Sequence, residues 1–309
     1  MQPILNLPLA RSSLDRDYLQ RKNPDLFDEL WSNPKTRVLV LFEGKTLLAG
    51  DKNHPQPVLR LFDIEGVPSA QLRVYLGKTL EAENGVEADS PIVLAVLGKN
   101  SAMQIESDED SWFGLRHTGY GLSDRDAGLY AQALALANFH ENHKHCSRCG
   151  LPNVIEEGGW SRRCFNDQSQ VFPRTDPAII VSVIDDQDRI LMGSQGTWEH
   201  NQWSILAGFV EPGESLAAAV IREVFEESGV HIVHPDYIAS QAWPFPYSLM
   251  VGFTAHVDSS KGEPVLQPDG EEIEKLRWFS REDIVNEINE LKLPGELSIS
   301  RSLIELWFG

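Results

Sequence analysis

Positive charge is scarce in this sequence of 309 residues. Lysine and arginine together number 27, against 46 aspartates and glutamates, which gives a formal net charge of −19. A protein that binds nucleic acid over a broad surface neutralises phosphates with clustered lysine and arginine. The composition therefore excludes a general nucleic-acid binder, although a local basic site remains compatible with it.

Cysteine and long apolar runs are also rare. The three cysteines all lie between positions 146 and 164, whereas a disulfide framework spreads its cysteines along the chain. This clustering predicts a reducing, cytoplasmic setting. No apolar run approaches the roughly 20 residues that cross a bilayer, and no basic segment precedes the first apolar patch. We therefore expect neither a membrane span nor a signal peptide.

The length suits two or three domains, and the first half carries strand patterns without a catalytic pattern. Residues 127–140 are rich in helix formers, and Asp124 or Asp126 can cap the helix that they predict. The predicted strands of this half cover residues 37–42, 46–49, 58–62, 72–76 and 92–97, with turns at 51–57 and 98–101. From residue 177 onward, strands and helices alternate as in a mixed α/β sandwich.

A second helix is predicted within residues 208–230, GFVEPGESLAAAVIREVFEESGV. Ser215 can cap it, and Gly229 is a natural stop. Glycines 208 and 213 bound a loop whose backbone can approach a ligand closely. One side of this helix is apolar and can pack on a sheet. That side comprises Leu216, Ala219, Val220 and Val224.

The other side of this helix is acidic. Glu223, Glu226 and Glu227 lie at positions i, i+3 and i+4 and share one face. Three like charges at this spacing destabilise a helix unless a hard divalent cation binds the carboxylate oxygens. A solvated, glutamate-rich helix is the simpler interpretation of these three residues taken alone.

The cysteines form a pattern typical of a zinc ribbon. Fourteen residues separate a CxxC knuckle from a third cysteine, and aspartate stands where a second knuckle would end. Zinc accepts a carboxylate oxygen as well as thiolates, so we expect a structural site, with His143 or His145 as alternative fourth ligands. A ribbon that has lost its metal, or a redox CxxC, remains open. The predicted ligands are Cys146, Cys149, Cys164 and Asp167.

Basic side chains concentrate around this ribbon in an otherwise acidic chain. A solvated ribbon surface is the simpler interpretation, and an electrostatic landing site for a polyphosphate or an RNA tail is the alternative. The residues are Lys144, Arg148, Arg162, Arg163 and Arg174.

Two motifs make the chain resemble a known family. Residues 208–230 fill every position of the pattern G-x5-E-x7-R-E-U-x-E-E-x-G-U, where U is aliphatic, and so resemble the signature of Nudix hydrolases. Residues 240–248, SQAWPFPYS, are similar to the SQPWPFPxS motif of the NADH pyrophosphatase branch, with Ala242 in place of proline. The resemblance implies a mixed α+β protein: a β-rich lobe (1–140), a zinc ribbon (141–174) and a C-terminal α/β/α Nudix sandwich (175–309).

The resemblance also implies an activity. We expect Mg²⁺- or Mn²⁺-dependent hydrolysis of the diphosphate of NADH or NAD⁺ to NMN(H) and AMP, by a homodimer. Decapping of NAD-capped RNA to NMN and 5′-monophosphate RNA is the alternative. A non-catalytic ligand sensor with a Nudix fold is a rival of another class, but such proteins usually lose the box glutamates that this chain retains.

Site residues follow from the same resemblance. Glu227, Glu226, Glu223 or Glu214 would orient or deprotonate the attacking water, while Arg222 would pair with a box glutamate. Phe209 would stack on nicotinamide. The implied metal ligands are the Ala207 carbonyl, Glu223, Glu226, Glu227 and Glu272. The implied substrate contacts are Arg116, Phe172 (often tyrosine in the family), Phe209, Gln241, Ala242, Trp243, Pro244, Phe245, Pro246, Tyr247, Ser248, Met250 and Ser300 (usually alanine).

Overall fold

A computed structural model describes residues 7–50 and 56–309. The chain divides into two units. Pro8–Thr175 and Trp243–Tyr247 form the N-terminal unit, and Asp176–Ala242 with Ser248–Gly309 form the C-terminal unit, which also includes Leu7. Most of the turn predicted at 51–57 lies outside the described residues.

The N-terminal unit is built mainly of short strands. Its elements are β1 (Leu14–Asp15), α1 (Leu26–Ser32), β2 (Arg37–Leu41), β3 (Lys45–Ala49), β4 (Val58–Leu59), β5 (Leu61–Phe62), β6 (Leu72–Thr79), β7 (Pro91–Val96), α2 (Lys99–Ile105), β8 (Trp112–Gly114), α3 (Leu115–Thr118), α4 (Asp124–Asn142), β9 (Asn153–Glu156), β10 (Ser161–Cys164) and β11 (Gln170–Val171).

These strands form three sheets, ordered β1-β6-β7-β2-β5, β4-β3-β8 and β11-β10-β9. In the largest sheet β2 and β7 run parallel. The single strand predicted at 58–62 is wrong, because β4 pairs with β3 and β5 pairs with β2, in different sheets. The turn predicted at 98–101 is also wrong, since α2 begins at Lys99 and buries Ala102.

Helix α4 is longer than its pattern predicts, and most of its residues are buried. Its cap is Ser123, whose side chain accepts from the Asp126 N–H. The prediction that Asp124 or Asp126 caps it is therefore wrong. Asp126 instead lies buried inside the helix, where it accepts from the Leu59 N–H and pairs with Arg125.

The C-terminal unit contains longer strands and the glutamate helix. Its elements are β12 (Asp176–Ile184), β13 (Ile190–Ser194), β14 (Leu206–Phe209), α5 (Leu216–Ser228), β15 (Ile232–Trp243), β16 (Ser248–Val257), β17 (Lys275–Phe279), α6 (Arg281–Asn286) and α7 (Ile299–Phe308). The sheet order is β15-β16-β12-β13-β17, and β14 pairs with β12.

The central strand β12 separates two apolar layers, because successive side chains point to opposite faces of a sheet. Ile179 and Val181 join a buried cluster with Val220 and Val224 of α5. Ile180 joins a second cluster that contains residues of α7. Helices therefore cover both faces, as the α/β/α prediction requires. The sequence predicts that Leu216 packs on the sheet with the apolar side of α5. That prediction is wrong, because Leu216 is 39% exposed at the first turn of the helix.

The two largest sheets share an order. In the N-terminal unit it is β6-β7-β2 and in the C-terminal unit β15-β16-β12, with the last two strands of each set parallel. Only a 3-10 turn, Ile64–Gly66, lies between β5 and β6, so the N-terminal unit has no counterpart of α5 there. Within residues 7–50 and 56–309, no helix has the length and apolar character to span a bilayer.

Candidate active site and ribbon metal centre

Helix α5 is held at both ends by local interactions. The Ser215 side chain accepts from the Ala218 N–H at 3.2 Å, and Gly229 adopts φ +71° as the C-cap. Both confirm the predicted helix bounds, because a side-chain cap and a left-handed glycine satisfy the terminal backbone groups.

The loop before α5 lies against Glu223. A Cβ on Gly208 would lie 2.1 Å from Glu223 Cδ, so only glycine fits while this carboxylate keeps its position. Burial raises the pKa of Glu223 above its ordinary value, although Arg222 opposes the shift. The Glu223 carboxylate therefore lies directly against the backbone of β14 at Gly208.

Glu227 is the most deeply placed of these acids, with 4% exposure. The Ala207 N–H bonds to its carboxylate, while its Oε2 is buried without a hydrogen-bond partner among the described residues. Burial, followed by the charges of Glu223, Glu272 and Asp269, raises the pKa of Glu227 to about 8. An orphaned oxygen among crowded carboxylates fits a divalent cation, which binds such oxygens and offsets their repulsion.

Arg222 organises the remaining acids of the helix. Its Nε and Nη2 donate to the two oxygens of Glu214 at 2.7 and 2.9 Å, and its Nη1 lies 2.9 Å from Glu226 and from Glu223. These contacts confirm that Arg222 pairs with box glutamates. The hydrogen bonds from Arg222 to Glu214 also lower the pKa of Glu214 to about 2. The Glu214 carboxylate is therefore held as a charged partner of the guanidinium.

The loop before β17 supplies a fourth acid. Glu272 is exposed, and its charge raises the pKa of both Glu223 and Glu227. Asp269 shapes this loop, because its Oδ1 accepts from the N–H groups of Glu271, Glu272 and Ile273. The sequence prediction missed Asp269, although Asp-Gly before a polar stretch is a turn signal.

Strand β14 presents two groups toward α5. Both polar backbone groups of a residue in an antiparallel pair point the same way, so the Ala207 carbonyl is turned to the side on which its N–H meets Glu227. Phe209, opposite Ala178, ends the strand and is 60% exposed. Its carbonyl accepts from Arg222 Nη2 at 3.0 Å.

An aromatic wall, defined here as Trp243 and Phe245 with their flanking prolines, belongs to the N-terminal unit. The two rings meet edge to face, with centroids 5.0 Å apart. The Arg116 guanidinium lies over both, 4.0 Å from the Phe245 centroid and 5.0 Å from that of Trp243. The structure therefore brings Arg116 to the predicted substrate segment.

Asn138 of α4 fixes the backbone of this wall. Its Nδ2 donates to the carbonyls of Pro244 and Pro246, each at 3.1 Å. The sequence prediction missed Asn138, because a single asparagine late in a long helix carries no signal of a distant partner. Tyr247 follows Pro246 in the segment, and the Arg174 guanidinium lies 5.1 Å from the centroid of its ring.

The ribbon brings the four predicted zinc ligands together. One ligand atom from each residue lies within 4.8 Å of all the others, and the described residues show no other such group. The donors are three free thiols and one carboxylate, a set that suits a tetrahedral zinc. The ligands are Cys146, Cys149, Cys164 and Asp167.

Comparisons with known proteins agree with this arrangement. Residues 173–299 match the NUDIX domain, residues 35–138 a "NADH pyrophosphatase-like rudimentary NUDIX domain", and residues 141–172 the NADH pyrophosphatase zinc ribbon domain. The human protein named NAD-capped RNA hydrolase NUDT12 is 31% identical over 96% of this chain and 72% of its own length. The chain belongs to the Nudix family. The Mycobacterium bovis protein named NAD-capped RNA hydrolase NudC is 36% identical over 81% of this chain and 85% of its own length.

With the Nudix family shown, the shared strand order of the two units has an explanation. The N-terminal unit retains the sheet of a Nudix domain but has no box helix between β5 and β6. Among solved structures, a Nudix hydrolase from Nitrosomonas europaea aligns with a TM-score of 0.42 and 20% identity, over 53% of this chain and 90% of that chain.

Two residues that the family resemblance assigns to substrate contact are buried and hydrogen-bonded to other residues of the C-terminal unit. Gln241 is fully buried, and its amide donates to the Leu297 carbonyl and accepts from the Ile299 N–H. Ser300 is 3% exposed and its hydroxyl bonds that of Ser204 at 2.8 Å. Both side chains hold the start of α7, so the geometry favours a supporting role over direct contact.

The other predicted contacts are divided between the units. Ala242 is exposed, Ser248 pairs with Asp176 in the parallel β12–β16 ladder, and Met250 packs against the cluster beside α7. Phe172, in the N-terminal unit, is 56% exposed and carries no hydroxyl.

Three of the five basic residues considered for the ribbon surface are buried or paired. Arg162 is 9% exposed and donates to His140 Nδ1 and to the Asn153 carbonyl. Arg163 pairs with Glu156 at 2.8 Å, and Lys144 pairs with Glu141 at 2.7 Å. The interpretation of this set as an RNA landing site is therefore wrong for Arg162, and the two ion pairs weaken it for Arg163 and Lys144.

Proposed function

We propose that this Nudix protein hydrolyses the diphosphate of NADH or NAD⁺ to NMN(H) and AMP. The observation that carries the proposal is the buried Glu227 oxygen without a partner, set among Glu223, Glu272 and the Ala207 backbone. The NADH pyrophosphatase-like and ribbon domains support this substrate class over other nucleoside diphosphates.

Mg²⁺ or Mn²⁺ is the proposed cation. Bound metal would neutralise phosphate charge and lower the pKa of a bound water. Its proposed ligands are the Ala207 carbonyl, Glu223, Glu226, Glu227 and Glu272.

The chain's own residues divide the remaining work. Arg222 holds Glu214 through two hydrogen bonds and holds the rotamers of Glu223 and Glu226. Since both Glu214 oxygens are engaged, we assign Glu214 to positioning. Activation of the water then falls to the other three box glutamates.

Planar rings are the proposed partners of the substrate's bases. Phe209 is exposed at the end of β14 and suits nicotinamide stacking. Trp243 and Phe245 form a rigid pair beneath Arg116, whose fixed position suits contact with an anionic or planar group.

Decapping of NAD-capped RNA is the second candidate. The relatives named NAD-capped RNA hydrolase favour it. The same glutamates would cleave the same diphosphate, with the RNA leaving as a 5′-monophosphate. Comparison of kcat/KM for NADH, NAD⁺ and an NAD-capped oligonucleotide decides which substrate this chain prefers.

The direct test is product analysis with purified full-length protein. We expect NMNH and AMP from NADH in equimolar amounts with Mg²⁺ or Mn²⁺, and no products with EDTA. Absence of metal-dependent NMNH release would contradict the proposal and would favour a non-catalytic ligand sensor.

We also propose a homodimer in the cytoplasm. The family resemblance supports the dimer, and three free cysteines clustered in a ribbon support a reducing compartment. Light scattering of the purified protein tests the dimer, and a mass of 34.7 kDa would contradict it.

A further inference from the structure

The ribbon differs from a four-thiolate site at one position. Asp167 occupies the place where a second CxxC knuckle would end. Its carboxylate keeps the formal ligand charge of the thiolate that it replaces, but it offers zinc a harder oxygen donor. Soft thiolates favour zinc more than carboxylates do, so this substitution changes donor chemistry and leaves ligand charge unchanged.

The Asp167 carboxylate is held with its two oxygens in different roles. Oδ1 accepts from the Ser169 N–H at 2.9 Å and from the Ser169 hydroxyl at 2.6 Å. Oδ2 lies 3.5 Å from Cys146 Sγ. Because Ser169 occupies Oδ1, a metal among the thiols would meet Oδ2 alone.

Ser169 also touches the thiol side of the cluster. Its hydroxyl lies 3.6 Å from Cys146 Sγ, and its carbonyl accepts from the Cys164 N–H at 2.8 Å. One residue therefore contacts three of the four ligand residues. Partners of this kind orient metal ligands, and their loss weakens metal affinity.

Geometry disfavours the two histidines as fourth ligands. His143 does not belong to the group of ligand atoms within 4.8 Å of one another that the described residues contain. His145 does not belong to the ligand group found in the described residues. The Cys149 and Cys164 sulfurs, 3.5 Å apart, are already close to the spacing of about 3.8 Å that a tetrahedral zinc with bonds of about 2.3 Å requires.

We propose that this ribbon holds zinc through three thiolates and one Asp167 oxygen, and that Ser169 is the positioning residue that makes this donor set work. The centre exchanges its metal more readily than a four-thiolate ribbon would. The proposal concerns the ribbon alone and does not depend on the hydrolase activity.

The number of thiolates can be read from cobalt spectra of the full-length protein. With Co²⁺ in place of zinc, D167C should raise the sulfur-to-cobalt charge-transfer absorbance by about one third, since thiolates increase from three to four. It should also tighten zinc in a chelator competition by at least about 10-fold. An unchanged absorbance and affinity in a folded D167C protein would overturn the carboxylate ligand.

The role of Ser169 has its own test. S169A should weaken zinc on the order of 10-fold in the same competition while leaving the charge-transfer absorbance of the loaded protein unchanged. S147A is the matched control, because Ser147 lies exposed inside the first knuckle. Equal zinc affinity of S169A and S147A would refute the positioning role, and loss of cobalt binding in H145A would refute the ligand assignment.

Discussion

At the scale of single residues, the site depends on one close approach. Gly208 lets the backbone of β14 reach Glu223, since an added Cβ would lie 2.1 Å from the carboxylate carbon. A side chain there must push Glu223 away. Glu227 depends instead on burial, which leaves one of its oxygens without a donor.

G208A should therefore reduce metal-dependent turnover by about 100-fold or more, because a displaced ligand disrupts the cation site. Steady-state assays over a range of Mn²⁺ concentrations measure this. G295A is the control, because a Cβ on Gly295 meets nothing within 4 Å. If G208A turned over substrate at the wild-type rate, the observed position of the Glu223 carboxylate would not be needed for turnover.

E227Q should remove most turnover, by at least about 100-fold, while the protein stays folded, since glutamine keeps the shape and removes the anionic donor. The control E282Q changes an exposed glutamate of α6. The measurement is kcat for NADH together with thermal unfolding. Near-normal kcat in E227Q would contradict its assignment as a metal ligand.

The raised pKa of Glu227 predicts how metal-free stability depends on pH. A carboxyl near 4.5 in the unfolded chain and at about 8 in the folded protein binds more protons when folded. Its stabilising contribution is therefore complete below about pH 4.5 and is lost as pH rises toward 8. In EDTA, the melting temperature of the wild type should fall between pH 5 and 8.5 more steeply than that of E227Q. Parallel curves would show that Glu227 is not the group responsible.

At the scale of elements, helix α4 supports the aromatic wall. Asn138 donates two hydrogen bonds to carbonyls of Pro244 and Pro246, and Arg116 of α3 covers the rings. These contacts fix the segment's shape by elements that lie more than a hundred residues earlier in the chain.

N138D should raise the KM for NADH about 10-fold with kcat changed less than about 3-fold. Aspartate cannot donate to the two carbonyls and is repelled by them. In an F245A background the same substitution should add little, because residues that act through one contact are not additive. N142D is the control on the same helix. Additive effects in the double mutant would indicate general destabilisation instead.

At the scale of the whole molecule, net charge opposes long anionic substrates. A chain with a formal net charge of −19 repels RNA, and salt screens that repulsion. For an NAD-capped 20-mer, kcat/KM should therefore rise a few-fold between 20 and 200 mM salt, and less for NADH. A strong fall with salt would indicate a basic RNA-binding surface. Parallel assays with a capped 5-mer separate the effect of chain length from that of the cap.

The sequence alone determined the features whose causes are local. Ser215 and Gly229 set the ends of α5, and the i, i+3 and i+4 spacing put three glutamates on one side. Cysteine spacing predicted the four ribbon residues whose ligand atoms the structure brings together. Caps, helical periodicity and knuckle spacing depend on neighbours within a few residues. These features therefore appear in the structure where they were predicted.

Only the tertiary structure decided burial and partnership. It placed Glu227 where an oxygen has no donor, turned Gln241 and Ser300 inward, and buried Arg162 beside His140. It also assigned the aromatic wall to the N-terminal unit. Each outcome depends on residues far apart in the chain meeting in a packed interior. No local sequence pattern encodes such long-range contacts. The chemistry of the glutamate helix was therefore predictable from the sequence, and the burial and partners of its side chains were not.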